Sequence, residues 1–199
     1  VNLIDCIRVA AAPQSAGHGG LTGLNNEIQA ARDVTKTNSY RLETFRSNEL
    51  GCLGYADSDE QVVFYRTTTK PHTQDAEFDV DSVHTLPRVD IAYAYAGADG
   101  LLVRALVDAG VAGIVAGGLG SGGSPSKMMA ALKAAAQSGV PVVIATQTGN
   151  GRVVRTRRYD EDGYIVADNL SPKKTRILLM MALTKTKDPE EIQRMMLTY

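Results

Sequence analysis

Val89-Asp90-Ile91-Ala92-Tyr93-Ala94-Tyr95, Gly113-Ile114-Val115-Ala116 and Pro141-Val142-Val143-Ile144-Ala145 are three short apolar runs, and the stretch holding them decides the fold. Each has strand length and is bounded by glycine, proline or a polar residue. Between the first two, Asp99 can cap a helix with Leu102, Val103, Leu106 and Val107 on one face, closed by Gly110. Between the second and third, Ser124 is placed as a cap and Pro125 as the opening of a helix. Its inward face would be Met128, Met129, Leu132 and Ala135, with Gly139 as its stop. Strand, helix, strand, helix, strand with short connections predicts parallel βαβ units and an α/β layer fold.

Downstream, Ser171-Pro172 starts a helix whose centre, Ile177 to Leu183, is apolar nearly all round and is expected to be buried. Asp188-Pro189-Glu190-Glu191 has the order of cap, first-turn proline and capping-box acid, and Ile192, Met195, Met196 and Tyr199 follow as one apolar stripe. Residues 89–199 therefore read as a complete small α/β domain. Upstream, residues 70–88 contain Pro71 and Pro87, six acidic or imidazole groups and little apolar periodicity, and read as a linker. Residues 1–69 are mixed. Leu3, Ile4, Ile7, Val9 and Ala10 predict a helix up to Pro13, Ser15 to Gly23 a turn, and Leu24 to Ile28 a short strand. A β-hairpin is predicted around Ala56-Asp57-Ser58-Asp59, with Tyr55 before it and Val62 to Tyr65 after it. The chain opens at Val1 and enters its first helix without a capping residue or signal peptide, the pattern expected of a processed or truncated chain.

A hydrophobic fraction of 44% and a charged fraction of 22% are those of an ordinary globular protein. A net charge of -1 supplies no global pull toward nucleic acid or an anionic membrane, and no apolar run reaches the length of a membrane span. Two cysteines, Cys6 and Cys52, exclude a disulfide scaffold and leave the redox compartment unread.

Four signals carry chemistry to weigh. Gly118, Gly120 and Gly123 formally match a dinucleotide fingerprint between a strand and a helix, but no acid lies between Asp108 and Asp160 to meet a ribose. A tight strand-to-helix turn is the better account, and no cofactor is expected. His18, His72 and His84 share no ligand spacing, so no metal is expected. Arg152, Arg155, Arg157 and Arg158 are followed at once by Asp160, Glu161 and Asp162, which reads as a solvated hairpin arm rather than a nucleic-acid surface. The fourth is Ala31-Arg32-Asp33-Val34-Thr35-Lys36-Thr37-Asn38, polar and loop-like, where a lysine is far more often a surface charge than a catalyst.

The Arg32–Asn38 segment closely resembles a motif of type II-like bacterial L-asparaginases, the glutaminase–asparaginase family. Thr44-Phe45-Arg46-Ser47, Leu53-Gly54-Tyr55, Phe78-Asp79-Val80, Leu86-Pro87-Arg88-Val89-Asp90-Ile91, Leu170-Ser171-Pro172-Lys173-Lys174 and Ala182 to Pro189 match in order, so the resemblance spans essentially the whole chain. It implies that residues 1–69 are the tail of a large N-terminal α/β domain and residues 89–199 a small flavodoxin-like parallel-sheet domain, usually in a homotetramer. The implied chemistry is hydrolysis of the side-chain amide of asparagine, and often glutamine, through a threonine acyl-enzyme. Lys36 corresponds to the family's catalytic lysine.

Two departures stand beside the resemblance. Neither of the family's threonine motifs, Thr-Gly-Gly-Thr or Gly-Thr-Asp-Thr, occurs in the 199 residues, so the chain is expected to lack the nucleophile and to be inactive alone. The family's glycine-rich turn and the stretch after the third strand bind substrate for a neighbouring subunit. Here the family's binding asparagine falls on Gly123, and Ile144-Ala145-Thr146-Gln147 replaces Arg-Ser-Ser-Arg. A diverged or non-catalytic α/β binding protein is the alternative.

Overall fold

A parallel strand covered on both faces has to be apolar on both, and the runs at 113–118 and 142–146 satisfy this. In the computed structural model, which describes residues 2–199, β7 (Val89–Tyr93), β8 (Gly113–Gly118), β9 (Val142–Thr146) and β10 (Ile165–Val166) form one parallel sheet in the order β10-β9-β8-β7. The chain divides into two units, 1–76 and 77–199, and this sheet is the centre of the second.

Successive residues of β9 feed opposite cores. Val142 and Ile144 join Ile114, Ala116, Val103, Leu106, Met128 and Leu132 beneath α2 (Leu101–Asp108) and α3 (Ser126–Gln137). Val143 and Ala145 join Val115, Leu179, Ile192 and Met196 beneath the C-terminal helices. Burying side chains of this size contributes about 1.5–3 kcal/mol each. A short helix α4 (Arg157–Glu161) precedes β10, and α5 (Pro172–Ala182) and α6 (Pro189–Thr198) complete the unit.

Several sequence expectations change here. Val103 and Leu106 are buried but Leu102 is exposed, because an eight-residue helix turns only one stripe to the sheet. In α5 the buried positions are Pro172, Thr175, Leu179 and Ala182, and Ile177 is 52% exposed. At 100° per residue, Ile177 lies about 200° from both Thr175 and Leu179, on the outer side. Ser124 does not cap α3: its Oγ is buried without a hydrogen-bond partner among the described residues, and Pro125 holds the cap position. Asp99 does act at the start of α2, its Oδ1 accepting from Leu101 N at 2.9 Å, and Asp188 Oδ1 accepts from Glu190 N at 3.1 Å.

In the first unit, β1 (Leu21–Leu24), β2 (Glu27–Ala30), β5 (Gly54–Ala56) and β6 (Val62–Phe64) form an antiparallel sheet in the order β1-β2-β5-β6. Helix α1 (Asn2–Ala11) packs Val9 against Ile28, Ala56 and Val62. The single strand expected at Leu24–Ile28 is two strands and a turn. Asn25 and Asn26 both have positive φ, 55° and 63°, which is the tight hairpin geometry asparagine tolerates best. The hairpin at 54–64 has the register Gly54↔Phe64 and Ala56↔Val62, and a side chain at Gly54 would collide with the Val63 carbonyl. A two-stranded ladder, β3 (Thr35–Lys36) with β4 (Phe45–Arg46), completes this unit. Among the described residues, no helix is long and apolar enough to cross a membrane.

Strand β10 lies at the sheet edge, and a glutamine completes it. Buried Gln193 accepts from Val166 N through Oε1 at 2.9 Å and donates to Val166 O through Nε2 at 3.1 Å. Gln193→Leu should therefore cost about 2–4 kcal/mol in urea unfolding, because each buried backbone group left unpaired costs about 1–3 kcal/mol. A loss below 1 kcal/mol would show that water replaces the amide.

Residues 77–78 are held to α6. Arg194 grips Glu77 with bonds of 3.0 and 2.8 Å, the Tyr199 hydroxyl accepts from Glu77 N at 2.7 Å, and Phe78 packs on the Tyr199 ring. The hydrogen bond from Arg194 holds the Glu77 carboxyl below its ordinary pKa, and Arg155 does the same to Glu190. A depressed folded pKa gives stability that is present above the ordinary glutamate range and lost as pH falls through it. Unfolding midpoints should thus drop as the pH is lowered from 7 through about 4, and Glu77→Gln should flatten that dependence. An unchanged slope in the variant would refute the assignment. Both pairs are solvent-screened, so added salt should weaken the effect.

Candidate functional site

The resemblance singles out two regions, one in each unit. In the first, Asp33 N and Val34 N both donate to Ala30 O, at 3.0 and 2.9 Å, turning the chain out of β2. Lys36 then pairs with Phe45 across the β3–β4 ladder, exposed, with Nζ 6.0 Å from the Phe45 ring centroid. Asp33 is paired with Arg32 at 3.1 Å.

The loop between β3 and β4 is closed by its own polar side chains. Thr37 donates to Thr44 O through N and Oγ1, at 2.7 and 2.9 Å, and buried Thr44 bonds both N and O of Asn38. Asn38 Oδ1 accepts from the amides of Tyr40 and Arg41 at 2.9 and 3.0 Å. Beneath the ladder, buried Ser47 donates to buried Gln29 Oε1 at 2.6 Å, and Gln29 Nε2 donates to Glu27 at 2.7 Å. Sequence reading missed this polar footing. The alternation of β2, with Gln29 between Ile28 and Ala30, points Gln29 away from the apolar core and was the available signal.

The second region is the carboxyl end of the parallel sheet, where open α/β sheets receive ligands. Gly118 ends β8, and the chain doubles back so that Leu119 N donates to Gly123 O at 2.7 Å while Gly122 N and Gly123 N donate to Leu119 O at 3.0 and 2.8 Å. A side chain at Gly118 would collide with the Gly122 backbone, and Gly122 has a φ of +103°. These glycines serve a closed turn, as expected, with three of its amides spent inside it. Gly123 is different: an added Cβ would meet only Leu119 O, at 3.7 Å, so there is room for a side chain.

Of the Ala145–Gln147 stretch, Ala145 is core. Thr146 Oγ1 donates to Gly120 O at 2.5 Å, and Gln147 Nε2 donates to Ala94 O and Gly117 O at 2.8 and 2.7 Å. Gln147 N also donates to Gly118 O at 2.9 Å. One dipeptide thus ties together the ends of β7 and β8 and the glycine-rich turn.

The remaining candidates have structural partners. The basic stretch 152–158 leads into α4, capped by Thr156, and is not a hairpin arm; Arg152 pairs with Asp168 at 2.9 Å, Arg155 with Asp160 and Glu190, and Arg157 with Glu161 at 2.8 Å. His18 stacks on Phe64 with ring centroids 4.0 Å apart. Among the described residues, no three His, Cys, Asp or Glu side chains gather as metal ligands.

Known proteins match both units. The family model described as "Glutaminase/Asparaginase C-terminal domain" matches residues 88–196, and "Asparaginase, N-terminal" matches residues 1–70. L-asparaginase 2 of Bacillus subtilis is 42% identical over 192 residues, covering 96% of this chain and 51% of the relative. L-asparaginase 2 of Escherichia coli is 38% identical over 200 residues, covering all of this chain and 57% of the relative. A crystal structure named "Probable Cytoplasmic L-asparaginase", from Campylobacter jejuni, superposes with a TM-score of 0.95 at 37% identity, over 100% of this chain and 63% of that one. The chain spans about half the length of the curated relatives it matches.

Gln147→Ala should loosen the turn without unfolding the unit. Amide hydrogen exchange should speed up at the turn and at the ends of β7 and β8, with a stability loss of about 1–2 kcal/mol. Unchanged protection there would show that the turn holds itself.

Proposed function

This chain belongs to the glutaminase/asparaginase family, and on that premise we propose that it works as part of an amidohydrolase converting L-asparagine, with L-glutamine as a second substrate, to the acid and ammonia. The observation that carries the reading is the match of both family models in order along one chain. Residues 1–69 would be the tail of the catalytic domain, 70–88 a linker and 89–199 the small domain, in a homotetramer.

The chemistry would run through a threonine hydroxyl. Its oxygen attacks the amide carbon, the carbon–nitrogen bond breaks as the nitrogen takes a proton and leaves as ammonia, and water cleaves the resulting ester to restore the hydroxyl. A hydroxyl needs a neighbouring group to move its proton, and Lys36 is the residue we assign to that relay. The nucleophile would come from residues other than these 199, so the chain by itself would not turn over substrate. Helix α1 supports this: Leu3, Ile4 and Ile7 are 73, 55 and 60% exposed, an apolar stripe of the kind that normally lies against protein.

A second reading, an asparaginase-like protein of altered substrate, is favoured by Gly123 and Gln147. The first presents no side chain where there is space for one, and the second is spent on the fold.

The test joins these residues to the part of the Bacillus subtilis relative that they do not match, and measures ammonia release from asparagine and glutamine. The 199 residues alone should release none and the joined chain should be saturable. Lys36→Met should lower its kcat about 10²–10⁴-fold while leaving the unfolding midpoint unchanged, since Lys36 is exposed. Turnover by the short chain would overturn the placing of the nucleophile. A joined chain that is silent until Gly123→Asn is added would favour the second reading.

A further inference from the structure

The chain leaves β9 through a bend that ends in Asn150-Gly151, and both of these residues are exposed. Asparagine is a labile residue, and most so where the backbone nitrogen of the next residue can reach its side-chain carbonyl carbon. Of the seven asparagines, Asn150 alone precedes glycine. The others precede asparagine, glutamate, serine or leucine, whose side chains crowd that approach. Glycine leaves it open, and at Gly151 an added Cβ would meet nothing within 4 Å.

Hydrogen bonding sets Asn150 apart as well. Among the described residues, neither its side-chain amide nor Gly151 N has a hydrogen-bond partner. By contrast, Asn2 Oδ1 accepts from Asn25 N at 3.0 Å, and Asn26 Nδ2 donates to Ala56 O at 2.8 Å. Asn38 Oδ1 accepts from the amides of Tyr40 and Arg41. Those bonds have to break before the side chain can turn onto the following nitrogen. The chain on either side of the free dipeptide is anchored. Thr148 Oγ1 donates to Asn150 O at 3.1 Å, and Val153 N donates to Asp168 O at 2.9 Å.

We propose that Asn150 is a site of spontaneous deamidation. Gly151 N gives up its proton and bonds to Asn150 Cγ, the Cγ–Nδ2 bond breaks, and Nδ2 takes a proton and leaves as ammonia. Water then opens the resulting succinimide ring at either carbonyl. One opening leaves aspartate. The other leaves isoaspartate, whose main chain runs through Cβ and Cγ and is longer by a carbon. Both products place a new carboxylate on the loop at the carboxyl end of β9, and the longer one has to be absorbed between Thr148 and Val153. The ammonia is stoichiometric with the chain and needs no substrate, which separates it from turnover.

The test holds the purified chain in neutral buffer, digests it at intervals and measures the mass of the peptide ending at Arg152. A gain of about 1 Da at Asn150 is expected, in two separable forms, one of them labelled by a protein isoaspartyl methyltransferase. The gain should be absent in Asn150→Gln and severalfold slower in Gly151→Ala. Asn38, the next candidate by sequence, should stay intact in the folded chain and begin to change in urea. No gain at Asn150 overturns the proposal, as does a folded chain in which Asn38 changes as fast. A gain without isoaspartate, or one undiminished in Gly151→Ala, overturns the route through the Gly151 nitrogen.

Discussion

A strand covered on both faces can satisfy its polar backbone only through its neighbours in the sheet, and β8 and β9 live under that constraint. From Ile114 to Ala116 and from Val142 to Ala145 their side chains alternate between two cores, so no position there is free for a polar residue that might help the backbone. The carboxyl ends of these strands are where the ladder runs out and unpaired carbonyls would face a crevice. The glycine-rich turn and the Thr146–Gln147 pair sit there for that reason. Gly118 and Gly122 are small so that the chain can fold back over the strand end, and the hydroxyl that ends β9 and the amide that follows it close what the turn leaves open.

The same device recurs at two other sheet edges. Gln193 completes the edge of β10 with a donor and an acceptor at once, and Gln14 donates to Val62 O at 2.8 Å on the outer side of β6. A side-chain amide carries the same donor and acceptor as a peptide, so it extends a ladder without adding a strand that another chain could pair with. In the 77–199 unit this places two glutamines at opposite needs: Gln193 in the interior, where its loss strands buried groups, and Gln147 at the surface, where water competes.

Three of the four parallel strands, the helices between them and the stripe of α6 were legible because they follow from periodicity, and periodicity is a property of neighbouring residues. What was not legible depended on partners far along the chain. Ser124 has the chemistry of a cap, yet Pro125 fixes the backbone there and the hydroxyl turns inward. The all-apolar centre of α5 promised burial all round, but only one side meets the sheet, leaving Ile177 outside. The Asn25–Asn26 turn was readable from its residue types and was hidden by treating Leu24–Ile28 as one run. At the candidate site, the resemblance singled out Lys36 and matched Thr44 to Ser47, while the bonds by which Thr44, Ser47 and Gln29 hold the backbone there emerged only from the three-dimensional contacts.

That division bears on the placing of Lys36. A lysine that relays protons needs a low-dielectric enclosure, and residues 2–76 do not supply one around an exposed Nζ resting near Phe45. They do supply a rigid base: the ladder register, the Thr37–Thr44–Asn38 closure and the buried Ser47–Gln29–Glu27 chain all fix the backbone that carries it. A surface lysine with no task has little need of such footing, since its long side chain would find solvent from almost any loop. The backbone around Lys36 is thus fixed by a strand register, a polar loop closure and a buried polar chain, while the side chain itself stays exposed.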